Sequence, residues 1–372
     1  EFDVLQMMIS LGSTYANAGH YEQASHLYKQ VVRSCGDSTD AADLAATALC
    51  NAGNLSRALG QHKEAMTSYH KSLALTPNLT QSLYGLGLVF VELKQYSDAT
   101  GYFERALSNC ELTTKAQCLC GLGDVHCCLG DYFAAINKYS ESIEVFPWSR
   151  NRGSLLGSQP RLYLAKSFCG LGRAYSEVRE HLKATDAFLT SLEISRSCND
   201  KDGEASCLYR LGCMHLHSLD DALTALHFFH HSRDCYDQIW ATLKTDGLRI
   251  TYADAFAKVG TVIQLALVRI DRQAPALEAA EQMRSRSFEI MLAEQRVQSR
   301  AAAQVHASVP TTQDARLCLD DFRAIAERQQ VAIIVYSQLS ESSIVGWLLD
   351  GSGLLCTKHI ALSQEQTSLI QL

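Results

Sequence analysis

The chain has 372 residues, of which 47% are hydrophobic and 20% are charged, and its formal net charge is −7. A mildly acidic chain without a polybasic block is a poor nucleic-acid binder, and no apolar run reaches the roughly 18 residues that a membrane-spanning helix needs. Since no secretory signal pattern is visible, we expect a cytoplasmic protein whose 14 cysteines are mostly reduced and buried.

Four segments in the first half of the chain share one pattern. Each has a glycine, an alanine 12 residues later and an aromatic residue 4 residues after that. The glycines are Gly12, Gly53, Gly87 and Gly123, the alanines are Ala24, Ala65, Ala99 and Ala135, and the aromatic residues are Tyr28, Tyr69, Phe103 and Tyr139. Small residues predict two closely packed helices, with the aromatic ring filling space against the next pair. Gly19, Gly60 and Gly130 are predicted at the turns between helices, where a left-handed conformation is often needed.

This pattern resembles the tetratricopeptide repeat (TPR), a helix-turn-helix unit of 34 residues. The resemblance implies a right-handed superhelix of about six repeats, followed by a degenerate capping pair at 248–298. The six repeats are expected near 5–38, 46–79, 80–113, 116–149, 165–198 and 205–238. The fifth keeps Gly172, Ala184 and Phe188, whereas the sixth keeps Gly212 and Phe228 and has Thr224 at the alanine position.

The resemblance further implies a concave groove lined by the first helix of each repeat. The groove positions lie three residues before the shared glycine and one, four and five residues after it. The candidates read from these positions are Asn17, Asn54, Arg57, Tyr84, Asp124, Arg173, Glu177 and Tyr209. Such side chains suit an extended peptide, so the expected partners are proteins or peptides, with no nucleic acid and no membrane. A chaperone clamp is disfavoured, because only Asn54 fits its Lys and Asn pattern and Ile9 stands where a Lys is needed.

Cysteines collect on the same positions. Cys120, Asp124, Cys127 and Cys128 fall on one helical face. One interpretation is a thiol metal or redox site, and the other is a set of small, polarizable groove residues. Since paired ligand motifs are missing, we predict no bound metal and no cofactor.

A linker is predicted at 299–313, and the pattern then changes. Residues 314–372 predict an amphipathic helix and three strands, in "VAIIVYSQL", "SSIVGWLLDG" and "LLCTKHIAL". Helical repeats followed by such strands resemble the TPR–CHAT family. The resemblance implies a mainly α chain that ends inside the first part of an α/β, caspase-like CHAT domain, in an incomplete sheet. The strand residues Ile333, Val335, Ile344, Trp347 and Leu349 are therefore expected to be partly exposed.

CHAT proteases resemble caspases in using a His and a Cys that lie late in the domain, in motifs that this chain lacks. Cys356 and His359 are three residues apart on one predicted strand, so their side chains point to opposite faces. No catalytic residue is therefore assigned.

The preferred function is a non-enzymatic protein-interaction scaffold, and the family resemblance implies recruitment at cytoskeletal or spindle structures. The alternative is the regulatory TPR part of a CHAT cysteine protease whose catalytic residues lie beyond this chain. A third hypothesis treats the groove cysteines as a thiol-based sensor.

Overall fold

The computed structural model describes residues 2–36, 41–108, 110–146, 158–243, 246–302, 333–340, 343–350 and 353–361. Most of these residues are helical. The helices are α1 (Phe2–Asn17), α2 (Tyr21–Cys35), α3 (Ala42–Ala58), α4 (His62–Leu75), α5 (Thr80–Glu92), α6 (Tyr96–Leu107), α7 (Leu112–Leu129), α8 (Tyr132–Glu144), α9 (Ser158–Glu177), α10 (His181–Ser197), α11 (Lys201–His217), α12 (Ala222–Thr242), α13 (Asp246–Arg269) and α14 (Gln273–Ala302). Because α14 runs to Ala302, it enters the predicted linker. The rest of that linker and the predicted helix after it lie outside the described residues.

Two compact units are formed by the described residues. The first unit lies within 1–210 and 242–251, and the second within 211–241 and 252–372. The first unit therefore contains α1 to α10 and most of α11.

The first unit is a two-layer array of helix pairs. We call the first helix of each pair helix A and the second helix B. Each of α1 to α9 packs on the next helix in the chain, and the A helices α1, α3, α5, α7 and α9 also pack one on the next. The A helices thus form one continuous layer, and the B helices cover it.

The turns between helices A and B share one backbone form. In the first five pairs a residue with positive φ ends helix A, and the next N–H donates to a carbonyl five residues earlier, as His20 does to Tyr15 at 2.9 Å. The positive-φ residues in the first five pairs are Gly19, Gly60, Lys94, Gly130 and Arg179. The three predicted turn glycines are therefore confirmed, and two turns form without glycine.

The helix-B aromatic rings of the second, third and fourth pairs are each held between two helix-A glycines. A Cβ atom on Gly53 would lie 2.6 Å from the Tyr69 ring, and a Cβ atom on Gly85, in the next helix A, would lie 2.5 Å from the same ring. The same arrangement recurs for Phe103 between Gly87 and Gly121, and for Tyr139 between Gly123 and Gly170. The glycines therefore leave room for the ring between two A helices. The end of the ring that points away from helix B thus reaches the side of the A layer opposite the B helices.

The sixth pair departs from the predicted spacing by one residue. The ring that packs against Gly212 belongs to Phe229, not to the predicted Phe228, and fully buried Ala225 takes the place predicted for Thr224. The cause lies in the turn. Its positive-φ residue is Asp220, which comes eight positions after Gly212, whereas in the first five pairs the positive-φ residue comes seven positions after the shared glycine. One extra turn residue moves the buried face of α12 by one position.

The helical core of the second unit is aromatic. The rings of Trp240 and Phe256 meet edge to face at 4.9 Å, and the guanidinium of Arg286 lies over both rings. Asp237 accepts from Arg286 at 2.7 Å. These contacts connect α12, α13 and α14.

The three predicted strands are present as an antiparallel sheet in the order β1 (Ile333–Ser340), β2 (Ser343–Asp350), β3 (Gly353–Ala361). Trp347, on the central strand, pairs with Val335 and Thr357. Trp347 is 0% exposed, so the predicted partial exposure is wrong for it, because the alternation of a strand does not tell which face of the sheet is covered. The other four predicted positions carry side chains outside the described set.

Candidate functional site

The Tyr139 cluster consists of Tyr139, Asp124 and Arg173. Tyr139 reaches through the A layer from α8, and its hydroxyl donates to Oδ1 of Asp124 on α7 at 2.7 Å. Arg173 on α9 donates to the same Oδ1 at 2.6 Å and to the phenol oxygen at 2.8 Å. The cluster therefore joins the helices of two successive repeats at the A layer.

Charge and burial fix the ionisation of this cluster. Burial raises the pKa of the Tyr139 phenol far above its usual range, and the Asp124 carboxylate raises it further. Burial alone would lower the pKa of Arg173, but the neighbouring phenol and carboxylate outweigh burial and raise it. At neutral pH the phenol is therefore a neutral donor and the guanidinium is charged. The Asp124 side chain remains 45% exposed, so the network has an open carboxylate edge.

The Tyr69 cluster repeats the arrangement two pairs earlier and consists of Tyr69, Asn54, Arg57 and Glu92. The Tyr69 hydroxyl donates to Oδ1 of Asn54 at 2.8 Å. Arg57, one turn further along α3, donates to Glu92 on α5 at 2.6 Å and also contacts the phenol. An ion pair again connects successive A helices beside a tyrosine hydroxyl.

One helix-A position supplies the hydrogen-bond partner of the Tyr28, Tyr69 and Tyr139 hydroxyls. It is the residue directly after the shared helix-A glycine. Where helix B carries a tyrosine, this residue hydrogen-bonds its hydroxyl, as Ser13 does for Tyr28 at 3.2 Å. Where helix B carries Phe103, the corresponding residue is the apolar Leu88. Arg173 holds the same position in the fifth pair, opposite Phe188, and donates instead to Tyr139 of the preceding pair.

Deeper in the A layer lies a set of serine–thiol triads. In the first triad the Ser72 hydroxyl, on helix B, donates to the Ala46 carbonyl at 2.8 Å and lies 2.8 Å from the Ser82 hydroxyl of the next helix A. Cys50 of the preceding helix A shares a hydrogen bond with Ser82. The corresponding triads are Ser142, Ser167 and Cys120, and Ser191, Cys207 and Cys169. These triads satisfy buried polar groups between repeats.

The structure brings four of the eight predicted groove residues into the two clusters. Asp124 and Arg173 contact each other directly, and Asn54 and Arg57 both contact Tyr69. The prediction treated these side chains as independent ligand contacts, whereas each already has a partner within the chain.

The other four predicted residues are not members of the clusters, although the charges of Arg57 and Asp124 act on the Tyr84 phenol. Tyr84 is half-buried, with its ring 5.8 Å from that of Phe103. Tyr209 is half-buried on α11, and Asn17 is exposed at the end of α1. Glu177 is exposed at the end of α9 and shares a hydrogen bond with Tyr132.

Glu92, Tyr69 and Tyr139 belong to the clusters, although none of them is among the eight predicted groove residues. The two tyrosines were interpreted as core residues, and their rings are indeed 0% exposed. Their rings lie between the A helices, and their hydroxyl groups contact the polar helix-A residues of the clusters. The signal was present in the sequence, because the residue after the glycine is polar where the aromatic residue is tyrosine.

A separate cleft of about 80 Å³ lies between helices of the second unit. Tyr236, Phe256 and Met283 line it together with Arg233 and Arg286. Both arginines are paired with aspartates, Arg286 with Asp237 and Arg233 with Asp234. The cleft therefore presents a mainly apolar lining with little uncompensated charge.

Neither a metal cluster nor a membrane span is found in the part of the chain that the structure describes. No group of three or more His, Cys, Asp or Glu side chains there could hold a metal ion. No described helix is both long and apolar enough to cross a bilayer.

Family models of the tetratricopeptide repeat match residues 4–36 and 46–79. The chain therefore contains tetratricopeptide repeats. Comparison with curated proteins found no match.

The chain is similar to several solved structures. The Cut9–Hcn1 hetero-tetramer of the APC/C is 16% identical, with a TM-score of 0.50 over 70% of this chain and 42% of that chain. MamA from Desulfovibrio magneticus RS-1 is 20% identical, with a TM-score of 0.38 over 52% of this chain and 96% of that chain. YrrB, described as a TPR protein with an unusual peptide-binding site, is 19% identical, with a TM-score of 0.34 over 56% of this chain and 91% of that chain. The similarity to the Cut9–Hcn1 structure shows the fold alone.

Proposed function

We propose that the chain is a protein-interaction scaffold whose first unit binds an extended segment of a partner protein along the A layer, in the concave groove expected for such repeats. The observation that carries this proposal is the preformed Tyr139 cluster. Its charged groups are held by packing and by each other, so a ligand would lose little binding energy in ordering them.

The open edge of Asp124 defines what this cluster can bind. Tyr139 and Arg173 both contact Oδ1, so Oδ2 keeps its capacity to accept hydrogen bonds. An ionised carboxylate accepts about four hydrogen bonds in all. Backbone N–H groups of an extended peptide, or a Lys or Arg side chain, supply matching donors.

The proposal is tested with peptides selected from a random library on the wild-type protein. Asp124→Asn keeps an oxygen for the Tyr139 hydroxyl and replaces Oδ2 by an NH2 donor. We expect the selected peptides to bind this variant about tenfold more weakly, since a hydrogen bond to a charged group contributes about 1.5–3 kcal/mol. Isothermal titration calorimetry measures the difference.

Glu141→Gln is the matched control, because it also removes one carboxylate charge. Glu141 lies on helix B, where it pairs with Lys138 at 2.9 Å and is half exposed. Its substitution should leave peptide affinity unchanged. Equal affinities for the wild type and for Asp124→Asn, or equal losses in both variants, would contradict the assignment of the binding face.

The resemblance to TPR–CHAT proteins supports a narrower version of this function, in which the partner belongs to a cytoskeletal or spindle structure. Co-sedimentation of the purified chain with polymerised tubulin and with actin tests it. Binding to either polymer that Asp124→Asn weakens and Glu141→Gln leaves intact would support the narrower version, and absence from both pellets would contradict it.

The sheet of β1 to β3 favours a second candidate function, because strands after a repeat array are what a CHAT domain would supply. In this version the repeats regulate a caspase-like cysteine protease. Labelling of the natural full-length protein with an electrophilic probe for caspase-like cysteines provides the test. Labelling that a groove peptide changes would support this function, whereas a protein that resists the probe with and without peptide would contradict it.

A further inference from the structure

We propose that Cys169 and Cys207 form a peroxide-responsive thiol pair that closes to a disulfide between α9 and α11. The inference concerns a modification site inside the A layer and does not depend on the proposed function. It follows from two places where the third serine–thiol triad departs from the other two.

The first departure puts a second thiol into the triad. The helix-A residue of the next repeat is Ser82 in the first triad and Ser167 in the second, but it is Cys207 in the third. Cys207 keeps the contacts of those serines, because it lies 3.0 Å from the Ser191 hydroxyl and shares a hydrogen bond with the preceding helix A. The partner in that hydrogen bond is Cys169, which accepts from Cys207, so two free thiols are neighbours there.

The second departure brings a cation to the same place. Two residues before the shared glycine, the preceding repeats have Gly85, Gly121 and Gly170, whose small size admits an aromatic ring. The sixth repeat has Arg210 at this position. The positive charge of Arg210 acts on the Cys169 thiol. The charge of Arg173, which lies on the same helix as Cys169, acts in the same direction.

These surroundings favour the Cys169 thiolate. A hydrogen bond from Cys207 lowers the pKa of Cys169, burial opposes this change, and Arg210 and Arg173 support it, while Asp124 acts weakly in the other direction. In the second triad burial raises the pKa of Cys120 to about 12. The thiolate is the reactive form of cysteine, and Cys169 is partly exposed.

The chemistry needs a hydroperoxide as oxidant. The Cys169 thiolate attacks one peroxide oxygen, so that an S–O bond forms, the O–O bond breaks and hydroxide or alkoxide leaves and takes up a proton. The sulfur is oxidised to sulfenic acid, and the peroxide is reduced. The Cys207 sulfur then attacks the Cys169 sulfur. The S–S bond forms, the S–O bond breaks, and the hydroxide leaves as water with the Cys207 proton. A thiol reductant reverses the reaction.

The first test treats the reduced full chain with hydrogen peroxide, followed by alkylation of the remaining thiols and peptide mapping. We expect one disulfide, Cys169–Cys207, while Cys120 stays reduced. Cys169 should also be alkylated at least about tenfold faster than Cys120 in the untreated protein, because of its larger thiolate fraction. Failure to form this disulfide, or equal alkylation rates, would overturn the proposal.

Two variants separate the roles of the second thiol and of the cation. Cys207→Ser restores the serine of the other triads, so it should fold normally and accumulate a Cys169 sulfenic acid that dimedone captures. Ser167→Cys gives Cys120 a neighbouring thiol without a nearby Arg210 equivalent, and its disulfide should form at least about tenfold more slowly than the natural pair. Dimedone capture absent from Cys207→Ser, or equal rates for the two disulfides, would contradict the assigned roles.

Discussion

The Nη2 atom of Arg173 lies 2.6 Å from Oδ1 of Asp124, although the residues are 49 positions apart in the chain. Both side chains are partly exposed, at 28% and 45%, and an isolated pair of this kind contributes only about 0–1 kcal/mol. The Tyr139 hydroxyl makes it a network of three groups, which ties the candidate binding face to the stacking of the repeats.

Loss of the Asp124 carboxylate should lower stability because Arg173 and the Tyr139 hydroxyl lose their common acceptor. We expect Asp124→Ala to reduce the free energy of unfolding by about 1–2 kcal/mol, and Asp124→Asn by less, because the amide oxygen still accepts from Tyr139. Urea unfolding followed by circular dichroism measures both variants. Glu141→Ala, which removes an exposed carboxylate, should change stability by less than about 0.5 kcal/mol. A similar loss in that control would show that the network is not the cause.

The glycines beside the aromatic rings should not tolerate alanine. A Cβ atom on Gly87 would lie 2.5 Å from the Phe103 ring, so Gly87→Ala should lower the free energy of unfolding by about 1–3 kcal/mol. Gly101 provides the matched control on α6, because a Cβ atom there meets nothing within 4 Å. Gly101→Ala should stabilise by about 0.5–1 kcal/mol, since alanine is the better helix former. Unfolding midpoints that shift in the same direction in both variants would refute this explanation.

The serine bridge between repeats should behave as a coupled pair. Ser142→Ala removes the bond to the Ala116 carbonyl and leaves buried Ser167 with a lost partner, so we expect a cost of about 1–3 kcal/mol. The Ser142→Ala, Ser167→Ala double variant should cost less than the sum of the single changes, because both buried hydroxyls are then gone. The third repeat supports this expectation, since it carries buried Ala106 where the fourth has Ser142. Additive single effects in a double-mutant cycle would contradict the coupling.

Glu204 should make the first unit sensitive to acid. Its burial would raise the pKa, but hydrogen bonds and charges from Arg196 and Lys201 outweigh burial and lower it below the usual value. A carboxylate whose pKa is lowered by folding stabilises the fold when the pH is above its unfolded-state pKa of about 4.3. This contribution is lost as the pH falls through its folded-state pKa.

Glu204→Gln should therefore destabilise the protein by about 2 kcal/mol near pH 7, and the difference from the wild type should shrink as pH falls below about 4. Unfolding midpoints of both proteins between pH 7 and pH 3 provide the measurement. A difference that stays constant over this range would show that the Glu204 charge is not responsible.

The sequence predicted the helix pairs well where local sterics dictate the residue type. A ring cannot enter the A layer unless Gly53 and Gly85 leave room for it, so the pattern of glycines and aromatic residues marks the packing directly. The same reasoning failed at Phe228, because a fixed spacing was carried across a turn that has one extra residue before Phe229.

The candidate site was harder to predict than the fold. Asp124 and Arg173 were identified by their helix positions, but their contact depends on how α7 and α9 stack, which no local spacing encodes. Burial of Trp347 was missed for a related reason. The strand pattern predicts which residues alternate along β2, but it does not reveal what covers either face.

The path of each aromatic ring through the A layer also bears on how such an array can be rebuilt. Tyr139 depends on Gly123 and Asp124 behind it and on Gly170 and Arg173 ahead of it. If a gene duplication or a designed chimera joined new sequence between α8 and α9, the Tyr139 ring would lose its contacts with Gly170 and Arg173. One helix pair is therefore too small a unit to exchange. A unit that can be moved must also include the helix A of the next pair, because that helix contacts the aromatic ring.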